Sequence, residues 1–166
     1  MSERLYFICK FQLSGKSRFV VWYTDKTDGL ILHSQGFIET FATVGLAHEY
    51  AALKGITIQP EEVENYDFDR ITAWCRQPFA SQVSCDDFLN FWNTLHDVVL
   101  TVGRKSKFQV IDIKLNAIYD KLFAGANILS QPEIEHYTPT WSLREIRALR
   151  RLFSIGLREL HVALSA

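Results

Sequence analysis

Five histidines, three cysteines and one dense run of carboxylates are the side chains best suited by type to do chemistry in this chain. The histidines are His33, His48, His96, His136 and His161, and no two stand at metal-ligand spacing. His96 lies next to Asp97 beside an apolar helical stripe, which reads as a boundary histidine hydrogen-bonded to its neighbours. Cys9, Cys75 and Cys85 are odd in number and irregular in spacing, so they form neither a disulfide framework nor a zinc motif. They read as small buried hydrophobes in a reducing compartment. The chain contains no GxGxxG, P-loop, GxSxG or HExxH pattern. Gly15-Lys16-Ser17 copies only the tail of a Walker A motif, and it joins two strand-like segments instead of a strand and a helix. The expectation is a protein with no catalytic residue, no metal and no cofactor.

The charges are distributed more tellingly. Residues 61–97 carry eight acids (Glu61, Glu62, Glu64, Asp67, Asp69, Asp86, Asp87 and Asp97) against the two bases Arg70 and Arg76. Residues 141–166 carry five arginines against two glutamates. Asp86 and Asp87 suit a helix N-terminus, where the dipole favours negative charge. The rest of the acidic run is either a solvated connector or a docking surface for a basic partner, since acidic surfaces speed association with cationic proteins. Tyr66 and Phe68 alternate with Asp67 and Asp69, which would place aromatic anchors among the charges. The expected contact set is Glu61, Glu62, Glu64, Tyr66, Asp67, Phe68 and Asp69.

The elements that must position these residues are legible from periodicity. Leu5, Phe7, Cys9 and Phe11 alternate with Tyr6, Ile8 and Lys10, the period of a strand. Phe19–Thr24 and Leu30–His33 follow as strands after turn clusters, then a short fourth strand over Phe37–Phe41. Strands so close in sequence imply an antiparallel meander. Thr43 caps a helix that ends at Gly55, and Ile56–Ile58 is a brief strand before Pro60. From about residue 69 the period becomes helical. A first short helix stops before Pro78, and Ser84 with Asp87 opens a second that carries Phe88, Phe91, Trp92, Leu95, Val99 and Val102. Ile111, Leu115, Ile118, Tyr119 and Leu122 predict a third, ended by Gly125. Ser142 and Glu145 open a terminal helix with the stripe Ile146, Leu149, Phe153, Leu157, Leu160 and Leu164. The connection from Ala126 to Trp141 is long for a compact domain, as functional loops often are. Strands followed by helices give an α+β class: a single domain over 1–166, sheet-rich in 1–60 and helical in 61–166. Phe88, Phe91, Trp92, Leu95, Ile118, Leu122, Phe153 and Leu157 are the expected shared core.

Composition narrows the function. With 48% apolar and 22% charged residues the 166-residue chain is globular, not disordered. A net charge of −1 argues against direct nucleic-acid binding. No apolar run reaches the roughly 18–20 residues of a membrane span. Met1-Ser2-Glu3-Arg4 leads straight into a strand-like segment, unlike a secretory signal. The expected location is the cytoplasm.

Three stretches carry a resemblance. They are the opening strands through Tyr23-Thr24-Asp25 and Asp28-Gly29-Leu30-Ile31; Asp86-Asp87-Phe88-Leu89-Asn90-Phe91-Trp92-Asn93 with Asp97; and Ile118-Tyr119-Asp120-Lys121-Leu122-Phe123-Ala124-Gly125-Ala126-Asn127 followed by Thr138-Pro139-Thr140-Trp141. Together they resemble a family of small bacterial immunity proteins encoded beside polymorphic toxins, including those of contact-dependent growth inhibition. The resemblance implies a cytosolic, non-enzymatic inhibitor. It would bind the C-terminal domain of one cognate toxin, a basic nuclease and by preference an RNase, and block its active site. The family's contacts are not a shared motif, so the resemblance contributes no contact residues. A small α+β enzyme or ligand-binding domain is the alternative, with a pocket between sheet and helices near His96, Cys85 or Tyr119.

Overall fold

The computed structural model of the protein describes residues 4–129 and 135–165. Strands β1 (Leu5–Leu13) and β2 (Lys16–Thr24) form a hairpin, in register from Leu5 opposite Thr24 to Leu13 opposite Lys16. Ser14 and Gly15 between them both have positive φ, 55° and 69°. That is type I′ turn geometry, whose twist matches that of the strands it joins. β3 (Gly29–Leu30) pairs antiparallel with β2. Helix α1 (Val44–Leu53) is capped by the Thr43 hydroxyl, which accepts the Leu46 N–H. The chain then returns as β4 (Glu64–Asp67), parallel to β1 with Cys9 opposite Glu64 and Gln12 opposite Asp67. The sheet order is β3-β2-β1-β4.

The class is α+β, with the sheet in the N-terminal half and helices after it. The expected meander needs correction. The sheet is mixed, and its fourth strand comes from inside the acidic run, beyond the expected limit of the sheet-rich part at residue 60. Parallel neighbours need a long crossover, which the passage through β3 and α1 supplies. Phe37–Phe41 is not a strand. It makes single bridges, Phe41 to Phe19 and Ile38 to Leu32, and Ile58 likewise makes one bridge to Tyr6.

Alternation then assigns the two faces of the sheet. Cys9, Phe11, Leu13 and Val20 belong to the main core, whereas buried Ile8 and Val21 lie on the other face, with Ala47 and Ala51 of α1 on that side. The main core is closed by α2 (Phe68–Arg76), α3 (Cys85–Val102), α4 (Lys107–Asp112), α5 (Asn116–Gly125) and α6 (Leu143–Ala163). All eight expected core residues fall in this one cluster. Edge-to-face ring contacts run through it, with Trp74 4.9 Å from Phe88 and Phe88 5.3 Å from Phe153. Ser142 and Glu145 form the capping box of α6. The single helix expected around Ile111–Leu122 is instead α4, a 3-10 turn over Ile113–Leu115, and α5. Val110, Ile111 and Ile113 are β-branched and weak helix formers, and Asp112 among them is bonded to α3. Part of the 126–141 connection lies outside the described residues. Its described ends are joined by Asn127, whose amide donates to the Gly125 and Tyr137 carbonyls and accepts the Tyr137 N–H.

Candidate functional site

Glu61 and Glu62, in the connection just before β4, and Glu64, its first residue, are exposed. They rim a cavity of about 220 Å³ whose floor includes Phe7, Trp22 and Tyr66. Strand parity makes this recess. Phe7 and Trp22 are opposite one another in the hairpin register, on the same face as the core residues Cys9 and Val20 but nearer the sheet end. Both remain half-buried, unlike Cys9 and Val20. β4 then brings Glu64 beside Cys9 and Tyr66 beside Phe11. Burial, with Glu64 second, pushes the Cys9 thiol up to about 12. Burial, with Cys9 and Glu64, also raises the Tyr66 phenol. Both groups therefore stay protonated at neutral pH, and the negative charge of the recess is that of its glutamates. An acid rim over aromatic faces suits a cationic side chain, which gains both ion pairing and cation–π attraction.

The rest of the expected contact set has other work. Phe68 is fully buried at the first turn of α2, 5.2 Å from the Phe11 ring and 5.4 Å from Phe91, so it cannot touch a partner. Its expected place on a surface rested only on its alternation with Asp67 and Asp69, but β4 ends at Asp67 and α2 begins at Phe68. Asp67 is the N-cap of α2, accepting the N–H groups of Asp69 and Arg70. Asp69 reaches back to the hairpin turn, accepting the Ser14 N–H at 2.6 Å and the Gly15 N–H at 2.9 Å. Burial raises its carboxyl, but these two donors and Gln12 outweigh that and hold it below its ordinary value. Asp67 and Asp69 thus build the fold, and Glu61, Glu62, Glu64 and part of Tyr66 remain for a surface.

A second constellation lies on α3. His96 Nδ1 is 2.7 Å from Asp112 Oδ2, and the Trp92 indole N–H donates to Asp112 Oδ1, also at 2.7 Å. The partner of His96 is therefore sixteen positions away and not its neighbour Asp97. The Asp112 hydrogen bond raises the His96 pKa against the opposing effect of burial, with the charges of Asp112 and Asp97 helping. Burial raises Asp112, but the His96 and Trp92 bonds outweigh it and lower its carboxyl. These residues border a cleft of about 230 Å³ with Asn93, Asn116 and Tyr119, where the Tyr119 hydroxyl donates to Asn93 Oδ1. Sequence reasoning singled out His96 and Tyr119 but gave no signal for Asp112, which depends on how α4 turns back against α3.

The three cysteines are free, and burial raises each thiol above its ordinary value. All three are poor nucleophiles, because the thiolate is the reactive form. Among the described residues, no three His, Cys, Asp or Glu side chains gather as a metal-ligand group. No described helix is long and apolar enough to cross a membrane. Comparison with known proteins finds no matching family model, no matching curated protein and no matching solved structure.

Proposed function

We propose that this chain is an immunity-type inhibitor, a non-catalytic protein that binds a cationic toxin domain of the nuclease class, an RNase by preference, in the cytoplasm. The observation that carries the reading is the recess at the sheet edge, where exposed Glu61, Glu62 and Glu64 rim Phe7, Trp22 and Tyr66. A nuclease must hold phosphate, so its cleft is cationic, and carboxylates that replace phosphate contacts can occupy it. Aromatic packing beside them excludes water and supplies anchors of the kind found at binding hot spots. The resemblance of the three sequence stretches to immunity proteins supports the same reading. The test is co-expression with the variable C-terminal domain of an exoprotein encoded beside this gene. Wild type restores growth, and a Glu61→Lys/Glu62→Lys/Glu64→Lys variant with an unchanged melting curve does not. Failure of the wild type to protect or to bind that domain overturns the proposal.

The His96 cleft favours a second reading, a small enzyme or ligand-binding domain, because an Asp-oriented histidine bordering a cavity with Asn93, Asn116 and Tyr119 can serve as a general base. Under that reading a folded His96→Gln variant loses biological activity. Under the inhibitor reading it protects cells as well as wild type.

A further inference from the structure

The acid-rimmed recess is one end of a longer groove. It shares Glu64 and Tyr66 with a cavity of about 180 Å³ bordered by all four residues of β4. That cavity in turn shares Arg70, Asp87 and Phe91 with one of about 520 Å³ between α2 and the start of α3. The far end is aromatic: Trp74, Phe88 and Phe91 line it, and Phe79 borders it at 48% exposure. Between the two ends lies β4, the last strand of its sheet, with no strand beyond it among the described residues. Alternate residues of such an edge direct N–H and C=O groups away from the sheet, a template for a further strand. The Arg70–Asp87 ion pair, 2.9 Å long, sits where the second and third cavities meet, and its side chains are 65% and 36% exposed. A pair so open to solvent contributes little and can exchange partners.

We propose that this groove receives one extended segment of the partner protein. A basic residue of that segment enters the recess under Glu61, Glu62 and Glu64, its backbone pairs with the free edge of β4, and a large apolar residue further along fills the pocket of Trp74, Phe79 and Phe88. The proposal rests on the inhibitor reading and adds the shape and chemistry of what is bound. Charge complementarity selects the occupant: the recess end carries three exposed carboxylates and no base, while the far end is floored by rings. β4 covers roughly 13 Å at about 3.3 Å per residue. An extended segment with its basic and apolar residues four positions apart spans that length, with both side chains on one face. An extended strand also suits the site because its backbone hydrogen bonds supply affinity while the two end pockets supply specificity.

The probe is the peptide acetyl-Arg-Thr-Val-Thr-Leu-amide, titrated into the full chain with amide and indole NMR signals as the readout. Shifts are expected at Glu64, Asn65 and Phe79 and at the Trp22 and Trp74 indoles. Replacing the peptide Arg by Glu, methylating its alternate backbone nitrogens, or using Glu61→Gln/Glu64→Gln or Phe79→Ser protein should each weaken binding by about tenfold. No saturable shifts at millimolar peptide, shifts mapping elsewhere, or equal binding by these variants overturns the groove assignment. A second arm uses hydrogen exchange with the same exoprotein domain as the co-expression test. If the domain binds but protects residues outside the groove, the groove assignment falls and the inhibitor reading stands. If the peptide binds in the groove and the domain does not bind at all, the inhibitor reading falls and the groove remains an extended-peptide site.

Discussion

Asp112 is the residue on which the helical half turns. Both of its oxygens are taken by side chains one turn apart on α3, Trp92 and His96. The pair has a defined pH signature. The folded pKa of His96 is raised, so its contribution to stability is complete below the ordinary 6.5 and is lost as pH rises through the higher folded value. The folded pKa of Asp112 is lowered, so its contribution is present above 3.8 and lost as pH falls through the lower folded value. His96→Gln should therefore lower the melting temperature most between these limits, near pH 5–6, and should converge on wild type in alkali. A melting series across pH 4–9 measures this, and a pH-independent difference would mean that the charged pair is not what His96 contributes. Asp97, the next residue, has the opposite sign. Burial, reinforced by Asp28 and opposed by His96, raises its carboxyl to about 6. The folded chain then prefers the protonated acid, and stability falls as pH climbs from 3.8 through 6. Asp97→Asn should raise the melting temperature by a few degrees at pH 8 and leave it unchanged at pH 4.

Helix packing depends on close approach at a single position of α6. A Cβ added at Gly156 would sit 2.7 Å from Leu95 Cδ1 on α3 and 3.0 Å from the Phe108 ring on α4. Leu95 and Phe108 are themselves fully buried, so neither has room to withdraw. Gly156→Ala should cost about 1–3 kcal/mol, read from urea unfolding, even though alanine is the better helix former. If the variant were as stable as wild type or more so, α6 would not be this close to its neighbours. The stripes of α3 and α6 were legible in the sequence because each runs for many turns behind a side-chain cap, Ser84 and Ser142, and burial follows the helical period. β4 was not, because Glu64-Asn65-Tyr66-Asp67 has neither an apolar run nor β-branched residues. An edge strand tolerates such a sequence, since one side of it faces water. The same ambiguity misplaced Phe68: alternation with Asp67 and Asp69 looks alike whether a strand continues or a helix starts. The recess was half legible. Its glutamates stand out in the charge pattern, whereas Phe7 and Trp22 meet only through the hairpin register. They differ from their core neighbours in exposure, which periodicity does not report.

At the scale of the whole molecule, a net charge of −1 conceals two opposed fields. Arg144, Arg147, Arg150, Arg151 and Arg158 are exposed along α6, and Glu61, Glu62 and Glu64 are exposed at the edge of the sheet. Steering of a cationic partner depends on the summed field at the docking surface and acts over about 10 Å at 0.1 M salt. Reversing the acidic face is thus a kinetic experiment, provided that the residues chosen do not build the fold. Asp67 and Asp69 are unsuitable, because one caps α2 and the other holds the β1–β2 turn. Glu61→Lys/Glu62→Lys/Glu64→Lys leaves those bonds intact. Against the toxin domain proposed as its partner it should lower the association rate by about tenfold or more and flatten its salt dependence. Its dissociation rate should also rise, because three favourable contacts become repulsive. Arg144→Glu/Arg147→Glu/Arg151→Glu should leave association nearly unchanged or slightly faster, since it only extends the negative field. Stopped-flow binding at two salt concentrations, with melting curves to verify folding, separates the outcomes. If the α6 variant loses binding while the glutamate variant associates like wild type, the toxin meets the arginine face, and the polarity proposed for the interface is inverted.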